Sequence, residues 1–398
     1  MAIENKRVLI SGAGIAGPAL AGRLLRYGFT PTLIERAPAF REGGYMIDVW
    51  GTGYDVLEKC GLLQAAESKA YHFDQLTFVD ASGRRVAGFG GAVFRRALGD
   101  RFFSLPRGDL ARAIYDPIKE QVETLYATTV ETLAEDQSGV DVVLSTGGAR
   151  RFDLVIGADG LRSRVRERVF GADTEFEKYL GYYAASFIAP SYSHRDEAAY
   201  VSFARPGRQI SRYAMREGRS AFLFVFAEDR KAIHHDMAAQ KALLHARYGK
   251  DGWETPEILA ALDRADDLYF DAVSQIRLPH WSRGRVALVG DAAHSPSLLA
   301  GAGAAYAMLG AYVLAGELAA AGGNHTGAFP AYEARLRDYI RRQQDVAAGF
   351  AGSFTPKTAL GVWARNAIVS LMNVPLIDTW LTRRMLGENY SPPEYPTS

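Results

Sequence analysis

The chain is poor in cysteine, in excess charge and in long apolar runs. Its single cysteine, Cys60, excludes an intramolecular disulfide framework, a paired-thiol redox centre and a cysteine-rich metal site, so no metal is expected. Lys and Arg number 46 against 45 Asp and Glu, a formal net charge of +1. That balance points to neither nucleic acid nor a membrane surface as partner. No uninterrupted stretch of about 18 apolar residues occurs, so no membrane span is expected. The first apolar run is too short for a signal peptide. These readings suit a reducing, cytoplasmic setting. The 398 residues, 48 % of them hydrophobic, are enough for one large domain or about two.

What is present begins with Arg7-Val8-Leu9-Ile10-Ser11-Gly12-Ala13-Gly14-Ile15-Ala16-Gly17-Pro18. An apolar strand runs into Gly-x-Gly-x-x-Gly, and a helical pattern follows to Tyr27, stopped by Gly28. Gly12 permits the tight turn, Gly14 lets backbone approach a pyrophosphate, and Gly17 allows close helix–strand packing. The helix start at Ala16 then offers unpaired N–H groups to phosphate oxygens. A second strand, Thr32-Leu33-Ile34, ends at Glu35, 23 residues after Gly12. An acidic residue about 20 positions on is the expected holder of a ribose hydroxyl. The loop from Arg36 to Tyr45 lies beside this nucleotide site, where Arg36 or Arg41 can reach the cofactor.

The later chain alternates between two textures. Helices are expected over Tyr54–Lys59 and from Leu105-Pro106-Arg107-Gly108-Asp109-Leu110 onward, with Leu110, Ile114 and Ile118 on one face, and strands over Val122–Thr128, Thr129–Ala134 and Val140–Ser145. Phe152 to Gly160 is an apolar strand ending in Ala-Asp-Gly, so Asp159 either holds a ligand or caps the helix that follows. From about Gly171 the α/β rhythm stops. Ala199–Ala204, Gln209–Met215 and Ala221–Ala227 read as an antiparallel meander with Pro-Gly and Glu-Gly turns. Helices over Lys231–Tyr248 and Pro256–Leu262 follow. Phe203, Tyr213, Met215, Phe222, Phe224 and Phe226 are candidates for an aromatic pocket or for core, with Pro296 a further pocket candidate. The first texture returns at Arg285-Val286-Ala287-Leu288-Val289-Gly290-Asp291. Gly301-Ala302-Gly303 then opens a long Ala-rich helix to about Ala321, and another runs over Ala328–Val346. The tail from Thr358 to Leu386 reads as one or two helices broken near Pro375. His294 is read as structural rather than as an acid or base, and the pair His234-His235 as solvated.

The order of these motifs resembles the single-component flavoprotein monooxygenases of the para-hydroxybenzoate hydroxylase family. The resemblance rests on Gly-Ala-Gly-Ile-Ala-Gly-Pro, Arg107-x-x-Leu110, Gly157-Ala158-Asp159-Gly160 and Gly290-Asp291-Ala292-Ala293-His294-Ser295-Pro296. Within the family the chain looks most similar to the tetracycline-inactivating monooxygenases, through Gly43-Gly44-Tyr45-Met46-Ile47-Asp48 and Gly252-Trp253-Glu254-Thr255. Further similar stretches are Tyr269-Phe270-Asp271-Ala272 and the run from Gly310 to Leu318. The resemblance implies an α/β fold: a Rossmann-like FAD-binding domain, an inserted antiparallel β-sheet substrate domain and a C-terminal helical segment. Residues 1–70, 105–170 and 276–350 would form the first, 71–104 and 171–275 the second, and 351–398 the third.

It also implies non-covalent FAD held by Gly12, Gly14, Ala16, Gly17, Glu35, Arg36, Arg107, Asp159, Asp291, Gly301, Ala302 and Gly303. NADPH or NADH would reduce the flavin, and O2 would give a C4a-hydroperoxide that oxygenates an aromatic or polycyclic phenolic or enolic small molecule, possibly tetracycline-like. The start of the Gly301-Ala302-Gly303 helix would face the flavin pyrimidine ring. Three positions depart from the family pattern: Ala302 and Ala305 stand where Gln and Asn are common, and Leu298 where proline is. A reductase or oxidase on the same fold, or a non-catalytic flavoprotein that binds a polycyclic ligand, are the alternatives. A monomer or a homodimer is expected.

Overall fold

The computed structural model describes residues 3–40, 43, 45–193, 196, 198–232, 236–374 and 389–396. Arg41, Gly44, His234, His235 and the tail from Pro375 to Leu386 therefore lie outside the described residues.

The first motif builds a parallel sheet. β1 (Arg7–Ser11) lies between β2 (Thr30–Ile34) and β11 (Leu154–Gly157). β18 (Val286–Leu288) continues beyond β11, and β7 (Glu123–Leu125) beyond β2. Only the edge strand β17 (Ser282–Arg283) runs antiparallel. Val8, Leu9 and Ile10 are fully buried, as befits a strand covered by helices on both faces. The strands leading into the three glycine motifs, β1, β11 and β18, are neighbours pointing the same way. Their carboxyl ends meet at one edge, where open α/β sheets bind ligands.

Against this layer stands a ribbon of β3 (Met46–Trp50) and β6 (Phe102–Pro106), paired antiparallel. A small sheet of β8 (Val130–Glu135), β9 (Val140–Leu144) and β10 (Ala149–Phe152) is set apart from it. The second large layer has seven strands. It comprises β4 (Gln75–Val79), β5 (Arg85–Gly90), β12 (Glu177–Ala189), β13 (Ala199–Arg205), β14 (Arg208–Ala214), β15 (Ser220–Ala227) and β16 (Tyr269–Ile276). The meander β13-β14-β15 is antiparallel as expected. The sheet as a whole is not, because β4 enters beside β13 in the parallel sense.

Several helices differ from expectation at their ends. One spans Met237–Tyr248 rather than starting at Lys231, because the Asp236 carboxylate accepts the N–H groups of Ala238 and Ala239 and caps it there. Asn324 caps a helix that runs His325–Phe354, carrying Pro330 in its second turn. The helix expected over Tyr54–Lys59 begins earlier, at Gly51, and ends at Cys60. The helix Gly303–Ala320 is, among the described residues, the one long and apolar enough to cross a membrane, yet 72 % of it is buried inside the molecule. In the tail, the helix Ala359–Leu371 sets Val369 and Met372 against Phe78, Ala87 and Phe89 of the seven-stranded sheet.

Candidate active site

The glycine loop after β1 is closely backed. Gly12 has φ +110°, and a β-carbon there would lie 2.4 Å from the carbonyl oxygen of Ala158. A β-carbon on Gly17 would lie 1.9 Å from the Gly12 carbonyl oxygen. Both positions need the smallest residue, and together they fix the loop that opens the helix Ala16–Arg26. No side-chain oxygen caps that helix or the helix Gly303–Ala320. Their first N–H groups are therefore free of side-chain partners and directed at the edge where the parallel strands end.

Glu35 closes the loop from the other side. Its Oε2 accepts the Ala13 N–H at 2.9 Å and its Oε1 the Ala37 N–H at 2.8 Å. A carboxylate has about four lone-pair sites, so room remains for hydroxyl donors. Arg36 beside it is exposed. Arg107 begins the helix Arg107–Tyr115, and its N–H donates to the Tyr45 carbonyl at 3.0 Å. Among the described residues its guanidinium meets no carboxylate at ion-pair distance, although it lies near enough to Asp291 to act on its charge. Burial pushes the Asp291 carboxyl above its ordinary range, offset by Arg107 and by a hydrogen bond from Ser295. A β-carbon on Gly303 would lie 3.9 Å from Asp291 Oδ1, so Asp291, Gly301, Ala302 and Gly303 share one corner of the site.

Asp159 is engaged differently. One oxygen accepts the Ser163 hydroxyl at 2.5 Å, and the other the N–H groups of Arg164 and Val165 at 2.8 and 3.2 Å. Ser163 is the N-cap of the helix Arg164–Val169, its hydroxyl accepting the Arg166 N–H, and the Asp159 carboxylate supports that helix start, in keeping with the second of the two roles the sequence left open. Arg166, fully buried and not singled out from the sequence, ties two of the motif loops together. It donates to the carbonyl of Leu161 at 2.6 Å, to that of Ala292 at 2.9 Å, and to Asp173 Oδ1 at 2.6 Å.

The β3–β6 ribbon meets the seven-stranded sheet along a packed aromatic seam, the aromatic cleft. Ile47 and Val49 face the parallel-sheet core, so strand alternation turns Met46, Asp48 and Trp50 the other way. Met46 packs with Tyr71, Phe73, Tyr200, Tyr213 and Met215. Trp50, Phe102 and Phe73 form an aromatic run with centroids 6.4 and 5.4 Å apart. Asp48 accepts the Ser104 hydroxyl. Asp48 is exposed in accessible surface, but the groups crowded around its carboxyl desolvate it and raise it above the ordinary range, the Ser104 bond opposing this. Burial also pushes the Tyr200 hydroxyl up to about 12, with Ser211 lowering it and Asp48 raising it. The Tyr213 hydroxyl moves in the same direction from burial and from Asp48. At physiological pH both phenols keep their protons, and the charge of Asp48 acts on both, that of Asp74 on Tyr213 as well.

The aromatic candidates divide by face. Tyr213 and Met215 line the cleft. Phe222 and Phe224 pack with Tyr183, Phe187, Leu244 and Ile258 under the outer helices, and Phe203 packs with Val79, Val201 and Trp253. That places Phe203, Phe222 and Phe224 away from the cleft, a correction that follows from the two-residue period of the strands. Pro296 is buried, and its carbonyl accepts from Gln275 at 3.0 Å. His294 is 2 % exposed, its ring tilted against that of Trp281 with centroids 4.6 Å apart. Burial lowers its pKa to about 4, so it is a neutral core residue. Tyr200 and Trp50 went unnoticed in the sequence, and Asp48 entered only as the end of the Gly43–Asp48 likeness, with no role of its own; the one available signal was the alternation Met-Ile-Asp-Val-Trp.

Two glycine-fixed helix starts, an acidic residue beside the first, and an unpaired arginine between them define a dinucleotide flavoprotein with a separate aromatic cleft. The residues fit FAD: two uncapped helix ends and a cation without a described carboxylate partner are what an anionic pyrophosphate and a polar ring edge complement. The chain belongs to the FAD-binding domain family, whose model matches residues 5–349, and it is an FAD-dependent monooxygenase of the single-component class. An uncharacterised protein of Mycobacterium tuberculosis is 40 % identical, covering 85 % of this chain and 92 % of its own length. A flavin-dependent monooxygenase from an unknown prokaryotic organism is 34 % identical over 92 % of this chain and 95 % of its own. The crystal structure of tetracycline destructase Tet(55) superposes with a TM-score of 0.82 at 30 % identity, covering 99 % of this chain and 100 % of that one.

Proposed function

We propose that the protein uses NADPH or NADH and O2 to insert one oxygen atom into an aromatic or polycyclic compound bearing a phenolic or enolic hydroxyl. Tetracycline-like compounds are the first candidates, supported by the likeness to tetracycline destructase Tet(55). The observation that carries the reading is the wall formed where Met46, Tyr71, Phe73 and Tyr200 pack with Tyr213 and Met215, with the Asp48 charge near enough to raise the hydroxyls of both Tyr200 and Tyr213.

Bound FAD supplies the redox chemistry, taking two electrons from the reductant and activating oxygen. The chain's own groups do the rest. The N–H groups at the start of the Ala16–Arg26 helix, with Gly12, Gly14 and Gly17, hold the pyrophosphate. Glu35 takes a ribose hydroxyl with Arg36 alongside. Arg107 balances phosphate charge, and Asp291 takes a hydroxyl of the ribityl chain. The N-terminus of the Gly303–Ala320 helix favours negative charge on the ring. Asp159 and Arg166 keep two of these loops in register. In the cleft, the Tyr200 and Tyr213 hydroxyls donate to a substrate oxygen. Asp48, its affinity for protons raised by desolvation, accepts the proton of a substrate hydroxyl at its carboxylate. Trp50, Phe73 and Phe102 exclude water. On this reading residues 1–70, 105–170 and 276–350 form the flavin domain, and 71–104 and 171–275 the substrate domain.

The test is ligand-stimulated NADPH oxidation by wild type, Tyr213→Phe and Asp48→Asn with a panel of polycyclic phenols. The expected result is stimulation in the wild type that weakens in both variants while each still binds FAD. Equal stimulation in all three would overturn the assignment of the cleft.

A further inference from the structure

The last described stretch, residues 389–396, is a strap laid across the flavin-side helices. Tyr390 N–H donates to Thr52 Oγ1 at 2.9 Å, and Thr52 Oγ1 donates back to the Tyr390 carbonyl at 3.2 Å. The Tyr390 ring lies 5.1 Å from Tyr339. Tyr312 donates to the Pro393 carbonyl at 2.9 Å, and Tyr395 donates to Glu317 at 2.5 Å. Tyr395 lies flat over Gly316, where a β-carbon would come within 2.3 Å of its ring. Lys59 pairs with Glu394. A stretch of eight residues anchored at five points is a fixed part of the fold, with one end beside the site.

That end is Asn389. Its amide packs on Gly51, whose φ is +49° and whose missing β-carbon would lie 2.1 Å from Asn389 Oδ1. It lines a cavity of about 20 Å³ together with Asp48, Trp50, Thr52, Gly53, Ala302, Ala305, Tyr306 and Tyr339. This cavity sits under the first turn of the Gly303–Ala320 helix. Of the side chains that turn presents there, Ala302 and Ala305 carry no polar atom, the Tyr306 hydroxyl is bonded to Gln343 Oε1 at 3.2 Å, and no side chain caps the helix. The one side-chain amide on the cavity wall comes from the far end of the chain.

We propose that Asn389 is a positioning residue of the flavin site. It supplies, from the C-terminal strap, the polar side chain that Ala302 and Ala305 do not, and it closes the cavity mouth against water. The inference rests on the placement of the flavin ring at the start of the Gly303–Ala320 helix. It predicts that the strap is part of cofactor binding and not only of stability.

The experiment uses the full-length protein reconstituted with FAD. Asn389→Ala is expected to bind FAD about five- to tenfold more weakly, the loss of one hydrogen bond to a polar partner. Asn389→Asp keeps the packing on Gly51 but adds a negative charge. It is expected to shift the FAD midpoint potential to a more negative value, because added anionic charge disfavours the reduced, anionic ring. A purely structural residue would move thermal stability and leave that potential alone. Both variants binding FAD within twofold of wild type at an unshifted potential would overturn the inference. So would Tyr395→Ala, which frees the other end of the strap, weakening FAD while Asn389→Ala does not. Wild-type protein that takes up no FAD would overturn the flavin site itself, a failure distinct from these.

Discussion

The guanidinium of Arg107 stands 3.1 Å from the point where a β-carbon on Gly14 would lie. Gly14 is therefore a clearance rather than a turn residue. Its missing side chain leaves the space through which loop backbone and arginine converge on one ligand. Arg107→Ala is expected to weaken FAD binding by about ten- to a hundredfold, the worth of a charge-assisted hydrogen bond of about 1.5–3 kcal/mol. Gly14→Val is expected to do comparable damage by displacing the arginine. Fluorescence titration of the apoprotein with FAD measures both. Unaltered affinity in Arg107→Ala would remove the arginine from the site.

Asp291 and Asp159 are both half-buried carboxyls raised above the ordinary range by desolvation, yet replacement is expected to act in opposite directions. A raised carboxyl binds its proton more readily in the folded state. Its ionisation therefore costs stability at neutral pH, and the cost vanishes as pH falls through the folded value. Asp291→Asn is expected to give a more stable apoprotein at pH 7, with an advantage that shrinks on acidification, and weaker FAD binding. Asp159→Ala is expected to lose about 1–2 kcal/mol because a helix start loses the carboxylate that supports it. Thermal melts at pH 5 and 7 separate the two.

Much of this was legible before any coordinates. Gly12, Gly14, Gly17 and Glu35 announce themselves because a tight turn, a helix start and a ribose-length spacing leave a fixed spelling in the chain. The meander β13-β14-β15 is readable because its turns are local. Three things were not. The parallel pairing of β4 with β13 joins segments about 120 residues apart, and no local pattern encodes it. The face on which Phe203, Phe222 and Phe224 lie was hidden because both faces of that sheet are apolar, so alternation loses its contrast. Asp48 was masked by the glycines before it, which read as loop, and Asn389 by a stretch with no period at all.

Phe224 and Tyr213 supply a direct check of that division. Phe224 is fully buried between the sheet and the outer helices. Phe224→Ala is expected to cost about 3–5 kcal/mol of stability and to leave the substrate preference of the surviving folded protein unchanged. Tyr213→Phe is expected to preserve stability and raise KM for hydroxyl-bearing ligands. The reverse pattern in denaturation and steady-state assays would exchange their faces.

His294 gives a pH signature. Burial lowers its pKa to about 4, below the unfolded value near 6.5. The unfolded chain therefore binds the extra proton first, and stability is lost as pH falls from about 6.5 towards 4. His294→Gln is expected to flatten that part of the stability profile without moving the pH optimum of turnover. A shifted optimum would assign the imidazole to the reaction.

The most direct measurement is turnover under 18O2 with FAD, NADPH and a polycyclic phenol panel that includes a tetracycline, followed by mass spectrometry of the ligand. The expected result is ligand-stimulated NADPH consumption and a product carrying one 18O atom. NADPH consumption that yields only hydrogen peroxide, with every ligand recovered unlabelled, would contradict the assignment of the aromatic cleft as an oxygenation site.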